Sequence, residues 1–198
     1  MSTAEPDSIS VRPARADDAP VLAQLVNYAG EGMPLYLWQE LATDGQTGWD
    51  VGKQRAARDT GSFSYRNATI IESNGAAAGA LIGYEIPKEP EPVPSDMPAM
   101  FVPLQELENL APDTWYVNVL AVLPQFRGTG VGSRLLALAD ETGERLEKNG
   151  MSVIVADNNT GARRLYERLG YAETARRPIV KEEWPTDGRE WVLLTKAL

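Results

Sequence analysis

Residues Trp115 to Val122 form an apolar run, interrupted only by Asn118, rich in β-branched and aromatic side chains, a pattern that predicts a buried strand. Pro124 stops it, because proline has no N–H to give a ladder. From about Val131 the apolar positions switch to helical spacing through Leu135, Leu138, Ala139, Thr142 and Leu146, and Asn149-Gly150 is the expected stop. Upstream, Ile9 to Ala14 reads as a first strand. Asp17 and Pro20 then open an amphipathic helix striped with Leu22, Leu25, Val26 and Ala29, which Gly30 and Gly32 end. A second helix dense in large apolar residues is expected from about Pro34, and a short charged one between Trp49 and Thr60. Phe63 to Glu72 and Ala78 to Ile86 read as two strands joined by Asn74-Gly75, residues that accept the positive φ of a tight hairpin.

Residues 87–113 break this regularity with seven prolines and several acids. They predict a long irregular connection with a helical turn or two between Pro103 and Leu110. Met97, Met100, Phe101 and Val102 are apolar enough to pack part of it down, and connections of this length usually serve a function, here a lid or rim. Beyond the central helix, Met151 to Ala156 is a short strand apolar on both faces, as a parallel, buried position requires. Asn159 or Thr160 caps a helix striped with Ala162, Leu165, Tyr166 and Leu169, which Gly170 ends. Tyr171 to Arg177 and Glu190 to Lys196 complete the strands, with no internal repeat and no domain linker. Residues 1–8 read as a disordered lead, and 9–198 as one domain with 87–113 inserted.

The order strand, loop, glycines, helix has a chemical meaning. It aims several backbone N–H groups and the positive end of a helix dipole at one point, which suits a phosphate. Two nucleotide-binding patterns compete for this reading. A P-loop needs Lys then Ser or Thr after its last glycine, whereas Ser133 and Arg134 follow Gly132. A dinucleotide fingerprint is G-x-G-x-x-G directly after a strand, with an acidic residue one strand later. Asp157 does end the next strand, but Gly128, Gly130 and Gly132 are spaced G-x-G-x-G and lie five residues beyond the strand end.

Gln125, Gly128 and Gly130 instead spell Q-x-x-G-x-G after Leu120-Ala121-Val122. Downstream, Asn159, Ala162, Leu165, Tyr166, Gly170 and Tyr171 spell N-x-x-A-x-x-L-Y-x-x-x-G-Y. Together these closely resemble the two signatures of the GNAT N-acetyltransferase superfamily. The resemblance implies an α/β (α+β) fold: a mixed, mostly antiparallel seven-stranded sheet with a splayed central strand pair, flanked by helices. It implies that acetyl-coenzyme A is the acetyl donor, held by Leu120, Ala121, Val122, Gln125, Phe126, Arg127, Gly128, Thr129, Gly130, Val131, Gly132 and Ser133, with Asn159, Ala162 and Tyr166. Tyr166 stands where the family's tyrosine hydroxyl approaches the cofactor sulfur, so it is the expected acid. Glu85, near the end of the third strand, is the first choice of general base, and Asn118 is placed to hold a water.

Composition narrows the chemistry. The chain has no cysteine, so no acyl-cysteine intermediate or thiolate metal site is available, and no histidine, the commonest general base. No metal is expected. The formal net charge of −9 repels nucleic acid and anionic membranes and suits a cationic amine. No apolar run reaches the length of a membrane span, and the N-terminus lacks the basic and hydrophobic regions of a secretory signal, so a cytoplasmic protein is expected. The expected partners are acetyl-coenzyme A and an amine-bearing acceptor, with a homodimer left open. The leading reading is direct acetyl transfer to a primary amine. The alternatives are an acyl-coenzyme A binding or sensing module without turnover and, disfavoured by its glycine spacing, a nucleotide-dependent oxidoreductase.

Overall fold

A computed structural model describes residues 8–198. The expected lead therefore lies outside the described residues, except for Ser8, whose N–H donates to Asn74 Oδ1 at 3.0 Å. The elements in chain order are β1 (Ile9–Pro13), α1 (Ala19–Ala29), α2 (Met33–Glu40), α3 (Gly48–Ala57), β2 (Ala68–Ser73), β3 (Ala76–Glu85), α4 (Val102–Glu108), β4 (Thr114–Val122), α5 (Val131–Arg145), β5 (Gly150–Ala156), α6 (Thr160–Arg168), β6 (Ala172–Pro178) and β7 (Glu190–Ala197). The strands form one seven-stranded sheet in the order β1-β2-β3-β4-β5-β7-β6. Its pairs are antiparallel except β4 with β5. Both border strands are mostly exposed along their length.

One compact unit comprises the described residues up to Ile82 together with Val119–Leu135. Its core is built on Leu22, Leu25, Ile70 and Ile82, with Trp38, Val119 and Ala121 packed among them. The predicted stripe of α1 is the face that is buried. Trp38 is the one buried residue of α2, stacked on Phe63 with centroids 5.6 Å apart and edge-on to Trp49 at 6.2 Å. Gly52 of α3 makes room for it, since a Cβ there would lie 2.5 Å from the indole ring. Asn74 and Gly75 take φ of 52° and 78°, the left-handed pair that the hairpin requires.

Two local expectations in this unit need correction. The segment 63–67 is not strand: the Ser64 hydroxyl accepts from Arg66 N–H and donates to Arg58 C=O at 2.6 Å, which winds Tyr65–Asn67 into a 3₁₀ turn. Asp17 does not cap α1 either. A 3₁₀ turn at Ala16–Asp18 precedes the helix, and it is Asp18 that accepts from Arg15 N–H at 2.7 Å.

Arg12 clamps the start of this unit. Its guanidinium donates two bonds to Asp18, at 2.7 and 2.9 Å, and one to Glu72 at 2.7 Å. These bonds, before any other influence, hold both carboxyls below their ordinary range. A carboxyl with a depressed folded pKa stabilises above its unfolded pKa, about 4, and loses that contribution as pH falls through the folded value. Arg12→Gln is accordingly expected to lower the melting temperature by a few degrees at pH 7 and by progressively less below about pH 4. A gap that stays constant across the acid range would assign the loss to packing.

The other unit comprises Gly83–Asn118 and Leu136–Leu198. Leu107, Met151, Leu193 and Leu194 are fully buried here. The parallel pairing of β4 with β5 covers only Thr114–Val117 against Gly150–Val153, whereas β5 stays paired with β7 out to Ala156. The proline-rich connection packs down. Asn109 donates to Glu91 C=O at 2.8 Å and accepts from Glu91 N–H at 3.0 Å, and Arg177 of β6 grips Glu106 of α4 at 2.7 Å. The expected helix stop at Asn149-Gly150 is displaced: α5 ends at Arg145, and Glu147 takes a φ of 54°. Asn149 is drawn away to Asp113, donating its side chain to the carboxylate at 2.7 Å and its N–H to the carbonyl at 3.0 Å. Gly150 is already strand, where a Cβ would meet Lys196 C=O at 2.5 Å.

Candidate active site

The glycine turn belongs to the first unit. Pro124–Phe126 forms a 3₁₀ turn after β4, anchored where Leu123 N–H donates to Ala78 C=O at 2.8 Å. Thr129 Oγ1 donates to Phe126 C=O at 2.6 Å and pins the turn from within. Gly128 and Gly130 have φ of 78° and 89°, which L side chains resist, and nothing lies within 4 Å of where a Cβ would sit at either. The first helical bond of α5 runs from Arg134 N–H to Gly130 C=O at 3.0 Å. The amides of Val131, Gly132 and Ser133 are therefore the helix's open first turn. Those of Gly128, Thr129 and Gly130 donate to no backbone carbonyl among the described residues. Six consecutive N–H groups are thus left without a backbone acceptor at an exposed, uncrowded turn on the positive end of a helix. Arg127 beside it lies over the Tyr28 ring at 5.7 Å and reaches Val122 C=O at 3.4 Å. Leu120 and Val122 are half-buried and Ala121 is buried, while Gln125 is exposed and Phe126 half-buried.

The other expected residues lie in the second unit. Asn159 caps α6, its Oδ1 accepting from Ala162 N–H at 3.1 Å. Tyr166 is 4% exposed and packs edge-on against Tyr171 with centroids 5.5 Å apart, and its hydroxyl makes no hydrogen bond among the described residues. Burial alone pushes its hydroxyl pKa well up, so it holds its proton throughout the neutral range. Asn118 is the one exposed residue of β4. Glu85 is more than half exposed and is held by Lys148 at 2.7 Å; Lys148 also reaches Asp113 at 3.4 Å. The carboxylate that was expected to act as base is thus half of a surface ion pair.

A different carboxylate has the buried setting. Glu108, the last residue of α4, accepts from the Tyr84 hydroxyl of β3 at 2.9 Å. Tyr84 leans on Tyr116 of β4, ring centroids 5.1 Å apart, and burial pushes the Tyr116 hydroxyl pKa well up. Burial raises the Glu108 carboxyl pKa above the ordinary range, the Tyr84 bond opposes this, and the charge of Glu91 adds to it. Glu108, Tyr84 and Tyr116 form a chain of direct contacts within this unit. In the sequence Glu108 was one of several acids in a proline-rich stretch, and no local pattern marks its partner 24 residues upstream.

Among the described residues no group of His, Cys, Asp and Glu side chains could hold a metal ion, and no helix is long and apolar enough to cross a membrane.

The chain matches the model of the acetyltransferase (GNAT) family over residues 34–171. No curated protein matches it. Among solved structures, an N-acetyltransferase from Staphylococcus aureus Mu50 is 21% identical, with 94% of this chain and 99% of that one covered and a TM-score of 0.66. A GNAT family acetyltransferase from Elizabethkingia anophelis, with acetyl-CoA bound, is 17% identical, with 98% and 100% covered and a TM-score of 0.60. A further acetyltransferase structure is 24% identical, covers 95% of this chain and 98% of its own, and has a TM-score of 0.64. At these identities the likeness is one of fold.

Proposed function

The chain belongs to the acetyltransferase (GNAT) family, and on that premise we propose that it moves an acetyl group from acetyl-coenzyme A directly to a primary amine. The observation that carries this reading is the glycine turn, with six successive amides and open space where two Cβ atoms would intrude. That cradle fits a pyrophosphate, and the bound donor brings an acetyl group already activated as a thioester. The amides of Gly128 to Ser133 take the phosphate oxygens, with Arg127 adding charge. Backbone groups of Leu120 to Val122 pair with the donor's amide-bearing arm as a strand would, and an N–H there polarises the thioester carbonyl. Tyr166 donates its O–H toward the departing sulfur, which needs a hydroxyl that stays protonated, as burial ensures.

With no cysteine to carry an acyl group, amine and donor must be present together. Initial rates of free-thiol release, measured against both substrates over a panel of primary amines, are expected to give intersecting double-reciprocal lines. Parallel lines, or acetylated protein detected by mass spectrometry as a competent intermediate, would contradict direct transfer. Stabilisation by acetyl-coenzyme A without amine-dependent thiol release would leave only a binding module.

A further inference from the structure

Acetyl transfer to an alkylamine needs a group that removes a proton from the ammonium form before nitrogen can attack. The carboxylates of the second unit differ sharply in what already holds them. Glu85 and Asp113 are held by Lys148, Glu106 by Arg177, and Glu173 and Glu190 by Arg176. The Glu108 carboxylate has no cation within ion-pair distance among the described residues, and its only hydrogen-bond partner there is a neutral hydroxyl. A half-buried carboxylate with no counter-ion is costly unless a cation joins it. Its hydroxyl partner Tyr84 also stands against the Tyr116 ring of β4, the strand that runs on to Leu120–Val122.

We propose that Glu108 is the seat and the proton acceptor for the incoming ammonium, with the Tyr84 hydroxyl positioning the carboxylate. The proposal rests on the reading of the chain as an amine acetyltransferase. Glu108 Oε1 is taken by the Tyr84 O–H, which leaves Oε2 for the substrate. An N–H bond of the ammonium breaks, its electron pair stays on nitrogen as the attacking lone pair, and the proton passes to Oε2. Release of that proton to water restores the carboxylate. The acceptor is therefore an amine that arrives as a cation, with Tyr84 and Tyr116 offering ring faces beside the charge. The raised pKa of Glu108 supports this, since a stronger base takes the proton more readily. The groups that act on it are Tyr84 from β3 and Glu91 from the connection, with Tyr116 of β4 against Tyr84, while the β6 cation that meets α4, Arg177, is held by Glu106.

The test compares wild type, Glu108→Gln and Tyr84→Phe, using whichever of an alkyl monoamine, an alkyl diamine and an arylalkylamine turns over fastest. Glu108→Gln keeps an oxygen for Tyr84 and should fall roughly 100-fold in kcat/KM for the amine near pH 7, with an unchanged acetyl-coenzyme A thermal shift. The loss should shrink as pH approaches the amine's own pKa of about 10, where free amine is plentiful. Tyr84→Phe removes the bond that lowers the Glu108 pKa, so the acidic limb of its pH–rate profile should move upward relative to wild type. If wild type turns over and Glu108→Gln keeps its rate and its acidic limb, the inference is overturned while the amine acetyltransferase reading stands. If wild type releases no thiol with any amine, that reading fails and the inference with it. Should Glu108→Gln not fold, an acidic limb that stays unmoved in Tyr84→Phe overturns the proposal on its own.

Discussion

Gly128→Glu is expected to abolish the stabilisation that acetyl-coenzyme A gives the wild-type protein. A ligand at 100 times its Kd adds about 2.7 kcal/mol, or roughly 5–10 °C in a domain of this size. The substitution puts a carboxylate where six amides and a helix terminus favour an anion. Like charges about 4 Å apart at an effective dielectric near 20 cost about 4 kcal/mol, close to a thousandfold in affinity, which erases the whole shift. The informative companion is Gly128→Ala. Its methyl meets nothing within 4 Å, but a φ of 78° costs a β-carbon about 1–2 kcal/mol. Alanine should lower the melting temperature of the ligand-free protein while keeping most of the ligand-induced rise. Equal ligand shifts in wild type and Gly128→Glu would remove the pyrophosphate from this turn.

Tyr166→Phe is expected to lower kcat by roughly 100-fold while leaving stability and donor affinity almost untouched. The stability half follows from the structure: the hydroxyl has no hydrogen-bond partner among the described residues to lose, and phenylalanine keeps the edge-on contact with Tyr171. The catalytic half follows from burial, which holds the hydroxyl protonated and raises its pKa above that of a simple thiol, about 8.5. A full proton transfer to a thiolate is then uphill, so the hydroxyl acts mainly by a charge-assisted hydrogen bond as the sulfur departs. Such a donor does not titrate between about pH 6 and 9.5, and the ratio of wild-type to mutant rates should stay flat across that range. A near-neutral kcat at every pH would make Tyr166 a core residue, as would a lowered melting temperature with normal turnover.

What the chain announces in advance and what it conceals divide along the reach of the interactions. The glycine turn, the Asn159 cap and the Asn74-Gly75 hairpin are decided within a few residues, by left-handed φ or by a side chain reaching its own helix, and each occurs where the pattern placed it. Features decided by distant partners were misread. Asn149 resembles a helix stop until Asp113, 36 residues away, draws it into a strand junction. Ser64 sits where alternating aromatic residues, Phe63 and Tyr65, suggest a strand, until it bonds Arg58 and winds a turn instead. The candidate base shows the same division most sharply. Glu85 is attractive by its place on a strand, but Lys148 lies 63 residues downstream and pairs with it. Glu108 gains its setting only when an irregular, proline-rich stretch brings α4 against Tyr84.

The exposed border strands bear on how copies of this molecule meet. A sheet that ends in unpaired N–H and C=O groups is a template for another chain, and edge-to-edge pairing is the usual route from a soluble sheet to an aggregate. Here β1 carries the Arg12 clamp and ends in Pro13, while β6 carries Glu173, Arg176 and Arg177 and ends in Pro178. An arriving strand would have to displace ion pairs at either border, and at its last position would meet a ring with no N–H to offer. Growth of the sheet from one molecule into the next is opposed at both ends, and any self-association that keeps this fold intact is steered toward helix and loop surfaces.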